Sequence, residues 1–315
     1  MRKHRRLALG AAVLALTLLA AACGKSSSGG GSTNSPGGGG NEKACTGPVT
    51  VGVSGAFAEN QIMAELYGQV LEANGCDVSY QLNLGTREIS DKALESGKID
   101  MKPEYLAYEL PALDPNADTS GTAEEVAARL KPLVEKKGWE LLDFTPANDT
   151  NAFVVTQDTA SMYNLTTVGD LAKVAGQLTL GGPPECPKRP FCIPGLKKVY
   201  GITFGKFQPV GVCDSNTANA LISGAVDVAL LCSTQSIIAK EHLVALQDDK
   251  HLQAAGNIVP IAKKGVLTST GDDLLNEVSA GIDDATITGL SEKVEIEHED
   301  PADVAKAYLM DQGLI

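Results

Sequence analysis

The sequence predicts an α/β protein whose body folds as two lobes with a cleft between them. Three observations point that way. From residue 48 to about residue 262, short apolar runs alternate with amphipathic stretches, the pattern of a mostly parallel sheet with crossover helices. The chain has 315 residues, a length that suits about two domains of ~150 residues each. It is 43% hydrophobic and 21% charged, enough for a core, which excludes a mainly disordered, collagen-like or polytopic membrane chain.

The elements follow in order. Residues 49–53 read as a strand. Residues 59–74 read as a helix, with Ile62, Met63, Leu66, Tyr67, Val70 and Leu71 on one face and Gly75 as the stop. A second strand follows at 78–82, a short helix at 90–96, and a third strand begins at 99–101. Thr122 and Glu125 form a capping box for a helix reaching about Lys137, in which Pro132 predicts a kink. Residues 139–142 are strand-like. The middle portion repeats the alternation, with strands at 152–156, 178–180, 207–212 and 226–231 and helices at 167–175, 194–200 and 216–223. A last strand lies at 257–262. The C-terminus is helical, with Asp300 as N-cap and Pro301 at the first helical position.

The N-terminus reads as an address. Arg2, Lys3, Arg5 and Arg6 precede an uncharged, mostly apolar run at 7–22, which ends in small residues before Cys23. This is a secretory signal, and it is short for a membrane span of ~20 residues. The Cys after small residues resembles a bacterial lipobox, in which that Cys is lipidated, although Ala20 stands where the pattern usually has Leu. Residues 24–43 are rich in Gly and Ser and form a tether. The expected organisation is a signal peptide at 1–22, a lipidated Cys and tether at 23–46, one lobe from 47–144 and 248–315, and a second from 145–247. The protein is then extracytoplasmic and lipid-anchored to the cytoplasmic membrane.

Besides Cys23 there are six Cys, an even number that suggests disulfides in an exported chain. Cys45 and Cys76 each stand just before a strand, and a helix joins those strands, so both Cys fall at one end of parallel neighbours. Cys213 and Cys232 each end a strand. Cys186 and Cys192 flank a Pro-rich loop. Placement therefore pairs Cys45–Cys76, Cys186–Cys192 and Cys213–Cys232. No C-x2-C spacing occurs and the four His are scattered, so no metal or other cofactor is expected. The formal charge of −13 discounts nucleic acid as a partner. The body holds no P-loop, G-x-G-x-x-G or G-x-S-x-G motif, and no nucleophile–base pair stands out, so the chain is not read as an enzyme.

Several segments resemble the substrate-binding proteins of quaternary-amine ABC transporters, the glycine betaine/choline osmoprotectant type. The resemblance covers VTVGVSGAFAENQIMAELYGQVLEANG at 49–75, LNLGTREI at 82–89, ALESGKIDMKPEYLAYEL at 93–110 and NDTNAFVV at 148–155. It continues through GGPPECPKRPFCIPGLKKVYG at 181–201, NALISGAVDVALLCSTQSII at 219–238, ALQDDKH at 245–251 and the C-terminal tail. It implies a type II periplasmic-binding-protein-like fold, with crossovers near 144–150 and 243–248 and a ligand cleft between the lobes. It also implies aromatic rings around a trimethylammonium group, with an Arg or backbone donors for any carboxylate.

Carried over residue by residue, the resemblance is partial. Tyr105 of KPEY matches a ring of the family's cage, and Leu106 replaces the Thr that usually follows. Asn151 and Ala218 replace two other rings. Arg189 matches the Arg before GLKKVYG, and Phe57 follows an F-x-E pattern. Tyr108 adds a ring near Tyr105, although either Tyr also suits plain packing, and Arg87 in its Gly-Thr turn is a second anion anchor or a structural ion pair. Ser54 and Gly55 lie at a strand-to-helix turn whose N–H groups suit an anion. Asn148 and Asp149 sit at a crossover, where hinge duty competes with binding. Thr234 and Gln235 begin the last cleft turn. Asn151, Asn219 and Gln235 favour a more hydrogen-bonded ligand.

The function expected is capture of a small polar solute, a glycine betaine/choline-like osmoprotectant, by a monomer that delivers it to ABC permease subunits served by a cytoplasmic ATPase. The alternatives are the same role for an amino-acid-like or other carboxylate solute, and a ligand-sensing lipoprotein.

Overall fold

The computed structural model describes residues 43–53, 55 and 57–315. Cys23, the signal and nearly all of the tether lie outside the described residues, as does Ser54. Among the described residues, no helix is long and apolar enough to cross a membrane.

Two five-stranded sheets organise the body. The first contains β1 (Val49–Gly52), β2 (Val78–Gln81), β3 (Met101–Tyr105), β4 (Trp139–Leu141) and β10 (Ile258–Lys263), in the order β2-β1-β3-β10-β4. The second contains β5 (Asn151–Val155), β6 (Thr179–Gly182), β7 (Lys206–Pro209), β8 (Val228–Cys232) and β9 (Val244–Ala245), in the order β7-β6-β8-β5-β9. In each sheet three parallel strands are joined by one antiparallel strand, β10 or β5, which carries a further antiparallel strand outside it. The fold is the two-lobed arrangement that the alternation suggests, of the type II kind that the resemblance implies.

In the first lobe, α1 (Ala58–Ala73) is buried nearly all round. Ile62, Met63, Leu66, Tyr67, Val70 and Leu71 are inaccessible, because α1 lies under the sheet and is wrapped by α9 (Ser269–Ala280), α10 (Asp284–Glu295) and α11 (Pro301–Asp311). The Tyr67 hydroxyl meets Ser279 Oγ at 2.9 Å, which satisfies the polar end of a buried ring. The opposite sheet face carries α2 (Arg87–Ser96), α3 (Leu106–Leu113) and α4 (Ala123–Lys136). Strand β10 feeds both cores by its two-residue period, with Ile258 and Ala262 on one face and Val259 and Ile261 on the other. The second lobe is built alike. Phe153 and Val155 of β5 face one core and Val154 the other, where α7 (Ser215–Ile222) packs.

Several local expectations change. Helix α3 follows β3 without a break; its LAYELPAL sequence has no polar face to signal a helix. A short α5 (Gln157–Tyr163) starts on a Thr156 cap. The expected helix at 167–175 is 3-10, capped by Thr167 and Asp170, and the one at 194–200 is α6 (Ile193–Gly195) running into a π turn at Leu196–Tyr200. Pro132 sits inside an unbroken α4. The chain leaves the second sheet at β9, passes α8 (Ile237–Lys240) on the way there, and reaches β10 only at Ile258.

All three disulfides form as placement predicts: Cys45–Cys76, Cys186–Cys192 and Cys213–Cys232. The first joins the starts of β1 and β2, which pair in parallel with Val49 opposite Val78.

Candidate functional site

The two passages between the sheets run side by side. Asn148 and Asn257 form an antiparallel bridge, and Asn148 Oδ1 accepts from the Gly256 N–H at 2.7 Å. A Cβ on Gly256 would stand 1.8 Å from the Asp149 carbonyl oxygen, so only glycine permits this approach. In front of these passages lies a cleft of about 620 Å³. It opens at the C-terminal ends of β1, β3, β6 and β8, where ligands sit in open α/β sheets.

Rings form one corner of the cleft. Tyr105 ends β3 and Tyr108 lies in the first turn of α3, so the strand-to-helix junction presents both. Their centroids are 6.3 Å apart at 75°. Phe191 of the second lobe stands edge-on to Tyr108, 5.0 Å away at 85°. Phe57 also lines the cleft. Phe191 did not emerge from the sequence reading; its only signal was a place inside the Cys186–Cys192 loop.

An amide clamp holds Phe191. Its carbonyl accepts from Gln253 Nε2 at 3.0 Å and from Asn151 Nδ2 at 3.4 Å. Gln253 Oε1 accepts from Asn151 Nδ2 at 3.2 Å and from the Tyr108 hydroxyl at 3.3 Å. The Tyr108 hydroxyl in turn accepts from the Asn151 N–H at 3.0 Å. The clamp therefore joins α3, β5, the disulfide loop and the second passage.

Beneath the rings lie buried carboxylates. The Tyr105 hydroxyl donates to Glu59 Oε1 at 2.7 Å, and the Thr234 hydroxyl donates to Glu59 Oε2 at 2.6 Å. Asp149 Oδ1 accepts from the Thr234 N–H and the Ser233 hydroxyl, both at 3.2 Å. Burial, then the charge of Asp149, pushes Glu59 well above the usual carboxylate range. Burial likewise pushes Asp149 up to about 6, against the hydrogen bonds from Thr234 and Ser233. Glu295, at the end of α10, accepts from the Ser236 hydroxyl at 3.3 Å and is pushed by burial up to about 7.

The arginines on the cleft wall are already paired. Arg87 Nη2 donates to Glu104 Oε1 at 2.7 Å, and its Nε lies 3.5 Å from Glu109 Oε2. Lys102, also buried, closes the network: its Nζ meets Glu104 Oε2 at 3.0 Å, Glu109 Oε2 at 3.5 Å and the Asp91 carboxylate. Asp91, Glu104 and Glu109 are near enough to share a cation, and the Lys102 ammonium takes that place. Arg189, on the disulfide loop, grips Glu88 at the start of α2.

Of the residues singled out in the sequence, Gly55, Phe57, Arg87, Tyr105, Tyr108, Asp149, Asn151 and Arg189 line the cleft. Asn148 instead serves the paired passages, its side chain turned to Gly256. Thr234 and Gln235 are buried behind the cleft, where Gln235 Oε1 accepts from the Cys232 N–H at 3.0 Å. Glu59, Glu88, Phe191 and Gln253 are additions from the structure.

Two lobes, two crossing passages and a ring-lined cleft define a solute-binding protein. The chain belongs to the family of the substrate binding domain of ABC-type glycine betaine transport systems, whose model matches residues 47–311. This family supplies the binding component of a transporter and is not one of enzymes. The chain is 28% identical over 279 residues to the glycine betaine-binding protein YehZ of Escherichia coli (strain K12), covering 84% of this chain and 91% of that one. It is 27% identical over 259 residues to the carnitine transport binding protein OpuCC of Listeria monocytogenes, covering 81% and 83%. A crystal structure of a glycine betaine/carnitine/choline ABC transporter protein superposes with a TM-score of 0.68 at 26% identity, covering 84% of this chain and 99% of that one.

Proposed function

We propose that the protein captures a quaternary ammonium osmoprotectant outside the cytoplasmic membrane and delivers it to the permease of an ABC importer. The observation that carries this reading is the corner made by Tyr105, Tyr108 and Phe191 in a cleft that Phe57 also lines. A trimethylammonium group has no N–H to donate, and ring faces attract it by cation–π interaction. Relatives named for glycine betaine and carnitine support the same ligand class. In this reading residues 47–144 and 248–315 form one lobe and 145–247 the other, and they close on the solute as a monomer. Gly55, Phe57, Tyr105, Tyr108, Asp149, Asn151 and Arg189 contact the ligand or close over it, while Arg87 acts through the ion network behind the rings.

Cys23 carries the lipid, and the Gly/Ser tether behind it keeps the body near the permease. Three disulfides suit an oxidising compartment.

Thermal shift of the purified protein tests the ligand. A solute at 100 times its dissociation constant stabilises by about 2.7 kcal/mol. Glycine betaine, choline or carnitine is expected to raise Tm; a rise with amino acids alone would move the ligand out of this class. Cys23→Ser is expected to release the protein from membranes, and unchanged retention would remove the lipid anchor.

A further inference from the structure

The charges around the cleft are unevenly matched. The guanidinium of Arg87 is held by Glu104 and Glu109, and that of Arg189 by Glu88. The remaining cation on the wall, Lys188, stands on the exposed rim. Glu59 and Asp149 are the reverse case. Both are buried, and among the described residues neither lies within ion-pair distance of a cation. They share Thr234, whose hydroxyl donates to Glu59 and whose N–H donates to Asp149. Asp149 lines the cleft directly, and Glu59 lies behind Tyr105, joined to its hydroxyl.

Taking the quaternary ammonium reading above as given, we propose that Glu59 and Asp149 are the countercharge for the bound cation. The cleft then selects a ligand of net charge +1, a quaternary ammonium alcohol, over a zwitterion carrying its own carboxylate. A cation seated against Tyr105 completes a pair that the protein leaves open. A betaine brings a carboxylate into the same cleft, where both guanidinium groups are already engaged by glutamates and the floor is acidic. In a site of low dielectric constant that difference in net charge is felt strongly.

Proton uptake makes this measurable. Glu59 faces Tyr105 from β3, Asp149 from the first passage, Thr234 from the turn after β8 and Glu295 from α10. Glu104 lies next to Tyr105 and is satisfied by Arg87 and Lys102. At pH 5 the carboxylates below the rings favour their protons, burial raising Asp149 to about 6 and Glu59 in the same direction. A cation binds best once they are lost, so its affinity rises with pH.

Titration calorimetry of the intact protein with choline and with glycine betaine, at pH 5 and pH 8, tests this. At pH 8 choline is expected to bind about tenfold more tightly or better, a difference of about 1.4 kcal/mol. At pH 5 its affinity is expected to fall about fivefold, with a smaller change for glycine betaine. Asp149→Asn and Glu59→Gln, each checked for an unchanged melting transition, are expected to flatten the choline profile. Tighter binding of glycine betaine at pH 8, or equal choline affinity at both pH values, would overturn the countercharge. Failure of both ligands to bind would instead overturn the quaternary ammonium reading itself.

Discussion

Arg189 and Glu88 meet across the mouth of the cleft. Arg189 Nη1 lies 2.7 Å from Glu88 Oε1, and Nη2 lies 3.1 Å from Oε2. One residue belongs to the disulfide loop of the second lobe and the other to the start of α2 in the first. The paired geometry is the strongest form of this contact. Glu88 is helped by its place at a helix N-terminus. Burial works against its ionisation, but the backbone N–H, Thr86 and Arg189 outweigh burial and bring it down to about 2.

Such a pair is expected to hold the two sides of the cleft together more than it steadies the fold. Both side chains are partly exposed, so its contribution is of the order of 1 kcal/mol or less. Glu88→Gln is expected to raise the dissociation rate of the ligand by about fivefold at most, in line with that energy, and to leave Tm almost unchanged. Adding salt should narrow the difference between the two proteins, because the contact is screened. Stopped-flow release kinetics read this directly. An equal rate at low salt would remove the latch.

Gln253 is expected to act on the ligand through Phe191. Its Nε2 holds the Phe191 carbonyl while its Oε1 takes the Tyr108 hydroxyl. Phe191→Ala removes a ring and should weaken a quaternary ammonium by about tenfold, about 1.4 kcal/mol. Gln253→Ala should weaken it less and in a selective way. The comparison is with 3,3-dimethylbutyrate, the neutral-carbon analogue of glycine betaine. If Gln253 sets the ring angle, the quaternary ammonium loses more affinity than the analogue; equal losses would make the residue a plain structural support.

These two cases show where the sequence was legible. Parallel β1 and β2, the α1 face and the three disulfides were all written in periodicity and placement, because burial and chain geometry leave local traces. Tyr105 and Arg189 were legible through their motifs. Phe191 and Gln253 were not, since they come together only when the disulfide loop and the second passage fold against β5. Arg87 shows the converse. Its turn marks a cleft residue, but its partner Glu104 is 17 positions away on β3, so the pairing appears only in three dimensions. Helix α3 escaped notice because a helix buried on several sides has no polar period to read.

Lys102 should be far less replaceable than any surface lysine. It is 1% exposed and touches three carboxylates. Burial pushes Glu104 up, but Arg87 and Lys102 outweigh it and hold it at about 2. Lys102→Met leaves Glu104 and Glu109 buried with Arg87 alone. Breaking a buried pair this way costs about 3–5 kcal/mol. Denaturant unfolding should show that loss, and Lys102→Arg should recover only part of it, because the guanidinium is larger than the ammonium it replaces. A loss below 1 kcal/mol for Lys102→Met would mean that the carboxylates simply take up protons.

The unliganded protein should become less stable as pH rises from about 5 to 8. Burial raises Glu109 to about 8, with Lys102 opposing, and raises Glu295 to about 7 and Asp149 to about 6. Unfolded carboxylates titrate near ~4. Between those limits the folded chain holds protons that the unfolded chain has released, so stability is full below about pH 4 for these groups and declines through each folded value. Glu88 and Glu104, both at about 2, act in the opposite sense. Their contribution is present above about pH 4 and is lost as pH falls towards 2. The two trends place the maximum near pH 4–5, below the neutral range. Tm measured from pH 3 to 8 checks the shape, and Glu295→Gln should flatten the decline between about pH 4 and 7. A Tm that rises steadily from pH 5 to 8 would contradict these buried carboxylates. Saturating choline should reduce the same decline if the cation pairs with Asp149, because binding then favours the ionised form that the empty cleft disfavours.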